Sequence, residues 1–222
     1  MTFKLALLLR ESPYLFGGAY YTATVTSLAF AIALGLGLAI ALMKVSKRRL
    51  VRGLATTYVE FFRNLPALVL LFWIFYAFPV FGIRLSALTA VSLALGLNVS
   101  GYMAEAFRTG LQAVDKGEVE AGLSVGLTRW KLLRKVVLPQ ASRVSLPLII
   151  NLFASLLRWS SLVSAVGISD LAYRARIISS VNYIPIEAYT GIAMFYLVVS
   201  SLVSFGSSLV EKKWARRYAT TS

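Results

Sequence analysis

Histidine and cysteine are both missing from this sequence of 222 residues. Their absence excludes His or Cys metal ligands, a cysteine nucleophile and any Ser-His-Asp triad. Disulfides are excluded too, so cysteine usage gives no sign of the redox compartment. Charge is also scarce, at 14% of residues, where soluble domains carry about 25%. Acidic residues are the rarest, 9 Asp+Glu against 23 Lys+Arg, for a net charge of +14. Apolar residues are abundant instead: 58% of the chain is hydrophobic and the mean hydropathy is +0.74. One soluble domain of this size cannot hide that much apolar surface, so the composition indicates an integral membrane protein. The basic excess is then open to three explanations: nucleic acid, anionic lipid or membrane topology.

Runs without charge locate the spans. Ala19–Met43, Asn64–Ile83, Leu85–Ala104 and Ala188–Val210 contain no charged residue, and Val144–Ser169 contains only Arg158. Each reaches the roughly 20 residues that a helix needs to cross about 30 Å of hydrocarbon. Leu54–Phe62 is also helix-compatible, and Arg63 can snorkel. The expectation is therefore a single all-α membrane domain over 1–222 with five spans, near 19–43, 54–83, 85–107, 141–169 and 188–210. The apolar stretch Leu5–Leu9 is too short for a signal peptide, so the first span is expected to start near Ala19 and to be retained.

Sixteen of the 23 basic residues fall in 44–52, 108–143 and the tail at 212–217, all on one side of this five-span layout. The positive-inside rule makes that side cytoplasmic, with the N-terminus outside and the C-terminus inside. A nucleic-acid binder would gather its basic residues on one folded face, among exposed aromatics. Here they are distributed loop by loop, and topology accounts for them.

The segment 111–140 is the unusual loop. Asp115, Glu118 and Glu120 come early and Arg129–Lys135 late, in the order a helix dipole favours. Gly126 can divide it into two short helices, with Thr128 as N-cap of the second, and Pro139 is expected to begin the fourth span. A short helix followed by a glycine turn projects as a knob suited to a groove on a soluble partner. The same residues are equally compatible with an ordinary surface loop. No G-x-x-x-x-G-K-[ST] occurs, so ATP would have to be bound by another chain.

Polar residues inside spans are functional candidates by default. Asn98, Tyr102 and Glu105 follow i, i+4, i+7 spacing and share one face of the third span, where they could line a polar cavity; alternatively Glu105 pairs with Arg108 and Tyr102 packs. Glu60 and Arg63 read as a structural pair. Arg158 is open to a substrate role, to pairing between helices or to snorkelling. The outer segment 170–187 reads as a short amphipathic helix ended near Pro185. Gly35 and Gly37 permit close helix contact. A secondary carrier or channel is the alternative function, although the internal repeats common in such carriers are not evident.

Glu120-Ala121-Gly122, three residues, Gly126, nine residues, Val136, one residue and Leu138-Pro139 together resemble the EAA loop of bacterial ABC importer permeases. Gly122 stands for the second Ala and Val136 for Ile. EFFRNLP at 60–66, AEAFRTGLQAV at 104–114 and LPQASRVSLP at 138–147 resemble the polar-amino-acid branch, and the likeness extends from about Tyr20 into the tail. It implies a type I ABC importer fold: five spans and a cytoplasmic coupling helix in a multi-pass protein of the bacterial inner membrane. The implied role is non-catalytic translocation of an amino acid or related solute. The implied partners are an ATPase pair carrying ATP and Mg, a second identical or homologous permease chain and an external solute-binding protein; no cofactor is implied in this chain.

The resemblance assigns ATPase coupling to Glu120, Ala121, Gly122 and Gly126. It also supports Asn98, Tyr102 and Glu105 as substrate contacts, and points to Arg158, Ser160 and Ser161. The family usually reads Lys-Asp-Thr-Ser-Leu where this chain has Arg158-Trp159-Ser160-Ser161-Leu162. Trp159 thus removes an acidic group, and an Arg without that neighbour suits a substrate carboxylate gripped bidentately.

Overall fold

The computed structural model describes the backbone of residues 5–219 and the side chains of 10–209. Every regular element among the described residues is helical. α1 (Leu5–Phe16) leads through Gly17-Gly18 into α2 (Ala19–Lys44); α3 (Arg49–Asn64) and α4 (Ala67–Phe72) follow. A π turn at Trp73–Ala77 and a 3-10 turn at Phe78–Phe81 lead on to α5 (Ala87–Gln112). The loop segment forms α6 (Lys116–Ser124) and α7 (Arg129–Leu132), then a π turn at Leu133–Val137 and α8 (Leu138–Trp159). A 3-10 turn at Ser160–Val166, α9 (Leu171–Asn182) and α10 (Pro185–Ala219) complete the order.

Four helical stretches among the described residues are long and apolar enough to span: Arg10–Lys44, Ala87–Gln112, Arg129–Val166 and Pro185–Leu209. The expected single helix over 54–83 is instead two, Arg49–Asn64 and Ala67–Phe81, bent by 99° at the break; counted as one span they make five. Proline chemistry causes the break. Pro66 supplies no N–H and disfavours helical geometry at Leu65, and Pro66 itself adopts φ −58, ψ 131. The Asn64 side-chain amide donates to the Glu60 carbonyl oxygen at 2.8 Å, closing the last turn of α3. Glu60 therefore meets Asn64 (Nδ2 to Oε2, 3.3 Å) and forms no ion pair with Arg63, whose guanidinium lies 5.1 Å from the centre of the Tyr102 ring.

Two further boundaries differ from the sequence pattern. Pro139 does not begin the fourth span, because the helical path already runs from Arg129 and the π turn at 133–137 precedes the proline. Widening the helix there lets it tolerate the lost N–H and the ring's clash with the preceding turn. Pro185 opens α10, while α9 ends at Asn182 and is followed by Tyr183, whose φ of 53 puts it in the left-handed region.

The chain divides into two compact units, and α2, α5, α8 and α10 contribute residues to both. The first takes residues up to Ile32 with Leu65–Asn98 and Phe153–Leu202. Its core joins α1, α9 and the start of α10 through Leu15, Leu171, Ala175, Ile178, Ile184, Ala188 and Ile192. This accounts for the amphipathic pattern of 170–187: the apolar face of α9 is covered by α1. The second takes Ala33–Asn64, Val99–Leu152 and the residues from Val203. There Ala41, Val59 and Ala104 pack together, and α2 approaches α5 closely at Gly37, where an added Cβ would lie 2.6 Å from Met103 Cβ. Gly35 faces open space, so only one of the two expected packing glycines is in contact.

Candidate functional site

The polar stripe of α5 is used at every step. In the first unit Asn98 is buried and its amide donates to the Leu65 carbonyl oxygen at 2.9 Å. In the second, the Tyr102 hydroxyl donates to the Arg63 carbonyl oxygen at 3.0 Å. Both carbonyls flank the proline break, where the helical ladder is interrupted. An unmet backbone oxygen in an apolar surrounding is costly, so these donors stabilise the bend. Glu105 receives Lys44 Nζ on one oxygen and Arg108 Nε at 2.6 Å on the other. The expected Arg108 contact is present. Lys44, 61 residues away, had no sequence signal.

The segment with the acidic start and basic end is built as a capped knob. Asp115 accepts from Gly117 N at 2.6 Å and starts α6. At its end Gly126 N donates to Leu123 O at 3.0 Å and Leu127 N to Gly122 O at 3.1 Å. These bonds require the left-handed backbone of Gly126, φ 78, a conformation that costs an L-residue roughly 1–2 kcal/mol. Thr128 then caps α7, accepting from Lys131 N at 3.4 Å. Glu120 and Ala121 are exposed and Gly122 is buried; a Cβ at Gly122 would meet the end of the Leu132 side chain at 2.5 Å. Around the turn, Leu123, Val125 and Trp130 are exposed, Val125 at 78%. The Gln140 side chain bonds Glu118, tying the knob to the start of α8.

Arg158, Ser160 and Ser161 all lie where α8 gives way to the 3-10 turn of the first unit. Ser160 is buried and donates to Leu157 O at 2.7 Å; Ser161 donates to Arg158 O at 2.8 Å. Arg158 is exposed, and its guanidinium donates to Ser155 Oγ at 3.0 Å. It forms no ion pair with a carboxylate among the described residues.

Asp170, which sequence patterning did not single out, is a buried acid at the start of α9. It has no exposed surface; Oδ1 accepts from Tyr173 N at 2.8 Å as the α9 cap, while Oδ2 has no hydrogen-bond partner. Burial pushes its carboxyl up to about 6, against the pull of backbone hydrogen bonds and of Arg176. The folded chain thus binds this proton more tightly than the unfolded one. The stability it contributes is complete below about pH 4 and declines as pH rises to about 6. The unfolding midpoint, followed by tryptophan fluorescence, should therefore fall between those values. Asp170→Asn, which keeps the capping oxygen, should flatten that slope; an unchanged slope would assign the effect to another group.

Similarity to known proteins extends over nearly the whole chain. The family described as binding-protein-dependent transport system inner membrane component matches residues 31–216. The probable amino-acid ABC transporter permease protein YckA of Bacillus subtilis (strain 168) is 33% identical over 213 residues, 96% of this chain and 94% of its own. The L-cystine transport system permease protein TcyB of the same organism is 38% identical over 208 residues, covering 93% and 89%. Among solved structures, a chain of an amino acid ABC transporter crystallised with histidines matches with TM-score 0.88 at 38% identity, over 96% of this chain and 100% of that one. The inward-facing MetNI methionine ABC transporter shares the fold at TM-score 0.77 and 19% identity, covering 92% and 98%.

Proposed function

The chain belongs to the family of binding-protein-dependent transport system inner membrane components, and from that premise we propose how its residues divide the work of an ATP-driven importer for an amino acid or a related small polar solute. It is a multi-pass permease subunit of the bacterial inner membrane with the type I importer fold. ATP and Mg belong to a separate ATPase pair, and substrate arrives from an external binding protein. A second permease chain, identical or homologous, completes the pathway. The distribution of basic residues supports an outer N-terminus and an inner C-terminus.

The observation that carries the coupling assignment is the exposed tip of α6 and α7. Apolar side chains displayed at a glycine turn, beside the free carboxylate of Glu120, are characteristic of a contact surface. Glu120, Ala121, Gly122 and Gly126 are therefore assigned to the ATPase contact. Substrate contact is assigned first to Arg158, a cation within a spanning helix that lacks an acidic partner in its unit. Ser160 and Ser161 shape the turn beside it. Asn98, Tyr102 and Glu105 are retained as contacts of the pathway, reached only if their present bonds open.

ATP-dependent uptake of a panel of labelled amino acids into proteoliposomes holding the permease, ATPase and binding protein tests the reading. Uptake by the permease alone on an ion gradient would establish the secondary-carrier alternative. Arg158→Ala should raise the KM for uptake about tenfold or more, the loss of a charge-assisted hydrogen bond, with basal ATP hydrolysis unchanged.

A further inference from the structure

A groove of about 760 Å³ lies in the second unit beside the ends of α2 and α5. Three cations, Lys44, Arg52 and Lys116, line it together with the neutral Ser46 and Gln112, and none of the lining residues is acidic. The rest of its wall is aliphatic, with Leu42, Leu111 and Val137 among the contributors. Lys44 is held by Glu105, which also takes Arg108, so that trio keeps one positive charge. Arg52 and Lys116 are exposed, and neither side chain has a partner among the described residues.

The position of the groove indicates what fills it. It opens at the last residues of two apolar spanning helices, the level of headgroups rather than of hydrocarbon. A basic rim beside an aliphatic wall complements a molecule that joins a phosphodiester to hydrocarbon tails. We propose that this groove binds one anionic phospholipid per chain, its phosphate taken by Arg52 and Lys116 and its acyl chain laid against the aliphatic wall. Because Lys116 opens α6, the bound lipid links α3 to the segment assigned to ATPase contact.

Native mass spectrometry of the permease–ATPase complex, released from nanodiscs of equal parts dioleoyl-phosphatidylcholine and dioleoyl-phosphatidylglycerol, tests this. One phosphatidylglycerol should remain on each permease chain, with no phosphatidylcholine. The Arg52→Gln/Lys116→Gln pair should lower that occupancy roughly tenfold. Lys47→Gln/Arg49→Gln removes the same charge outside the groove and should retain the lipid. Val45→Trp fills the groove without altering charge and should release it. Equal loss in both glutamine pairs would mean diffuse attraction and overturn the site, as would full retention in Arg52→Gln/Lys116→Gln. Absence of bound phosphatidylglycerol from the intact complex would assign the groove to an acidic segment of the ATPase instead. All the charged positions substituted are exposed, so the comparison stands even if the tryptophan variant assembles poorly.

Discussion

Gly126→Val is expected to cut transport at least about tenfold while ATP hydrolysis continues and the chain still inserts and assembles. The reason lies in the turn. At φ 78 the glycine allows the two backbone bonds that close α6 onto the start of α7. A β-branched residue is among the least tolerant of that region, with a strain on the order of 1–2 kcal/mol or more. No atom lies within 4 Å of the added Cβ, so the penalty is conformational rather than steric. The strain is relieved by re-aiming the tip, which misplaces Glu120 and the exposed Leu123 and Val125 together. Gly126→Asn makes the control, because asparagine tolerates the left-handed region, and it should retain coupling. Glu120→Ala gives an independent test. The Glu120 carboxylate is exposed and contacts nothing among the described residues, so its loss should change stability by no more than about 0.5 kcal/mol. Uptake and ATP hydrolysis measured in the same proteoliposomes decide the matter. Unaltered coupling in both Gly126→Val and Glu120→Ala would remove this segment from the ATPase contact.

Glu105→Leu should destabilise the chain by about 2–4 kcal/mol, because it leaves Lys44 and Arg108 side by side without their shared carboxylate. Breaking a buried pair from one side costs about 3–5 kcal/mol. The partial exposure here, 12% for Lys44 and 20% for Glu105, places the effect somewhat lower. Lys44→Met combined with Glu105→Leu should recover a substantial part of the loss, since only Arg108, which also bonds Gln112, is then left without the carboxylate. This cycle also separates two roles for Glu105. If the carboxylate serves only the ion network, uptake by the double variant keeps the original KM. If it also meets substrate, KM stays raised although stability is restored. Thermal unfolding read alongside uptake kinetics gives both quantities.

These two cases show different degrees of legibility. The Gly126 turn, the Thr128 cap and the knob between them are encoded within a few residues, because the hydrogen bonds that define them join neighbours in the chain. Spacing alone was enough to place them, and the likeness to the EAA loop supplied the role proposed for the knob. The α5 stripe was equally visible as a pattern, but its use was not. An amide, a phenol and a carboxylate at i, i+4, i+7 look the same whether they face a solute or the broken ladder of another helix. The partners of Asn98 and Tyr102 lie 33 and 39 residues away, and Lys44 lies 61 residues from Glu105. Asp170 was missed for a related reason: its burial depends on a helix elsewhere in the chain.

The scarcity of charge by itself pointed to a membrane protein, and the lack of histidine and cysteine excluded the metal ligation and nucleophilic chemistry that need those side chains. The charge-free runs determined where helices could span, because hydrocarbon demands an uninterrupted apolar length. Only the tertiary structure decided that the second run breaks at Pro66 and turns through 99°. Proline announces a possible break, but a break persists in an apolar setting only where other side chains satisfy the freed carbonyls. Asn98 and Tyr102 do so, and that pairing is a property of packed helices rather than of any stretch of sequence.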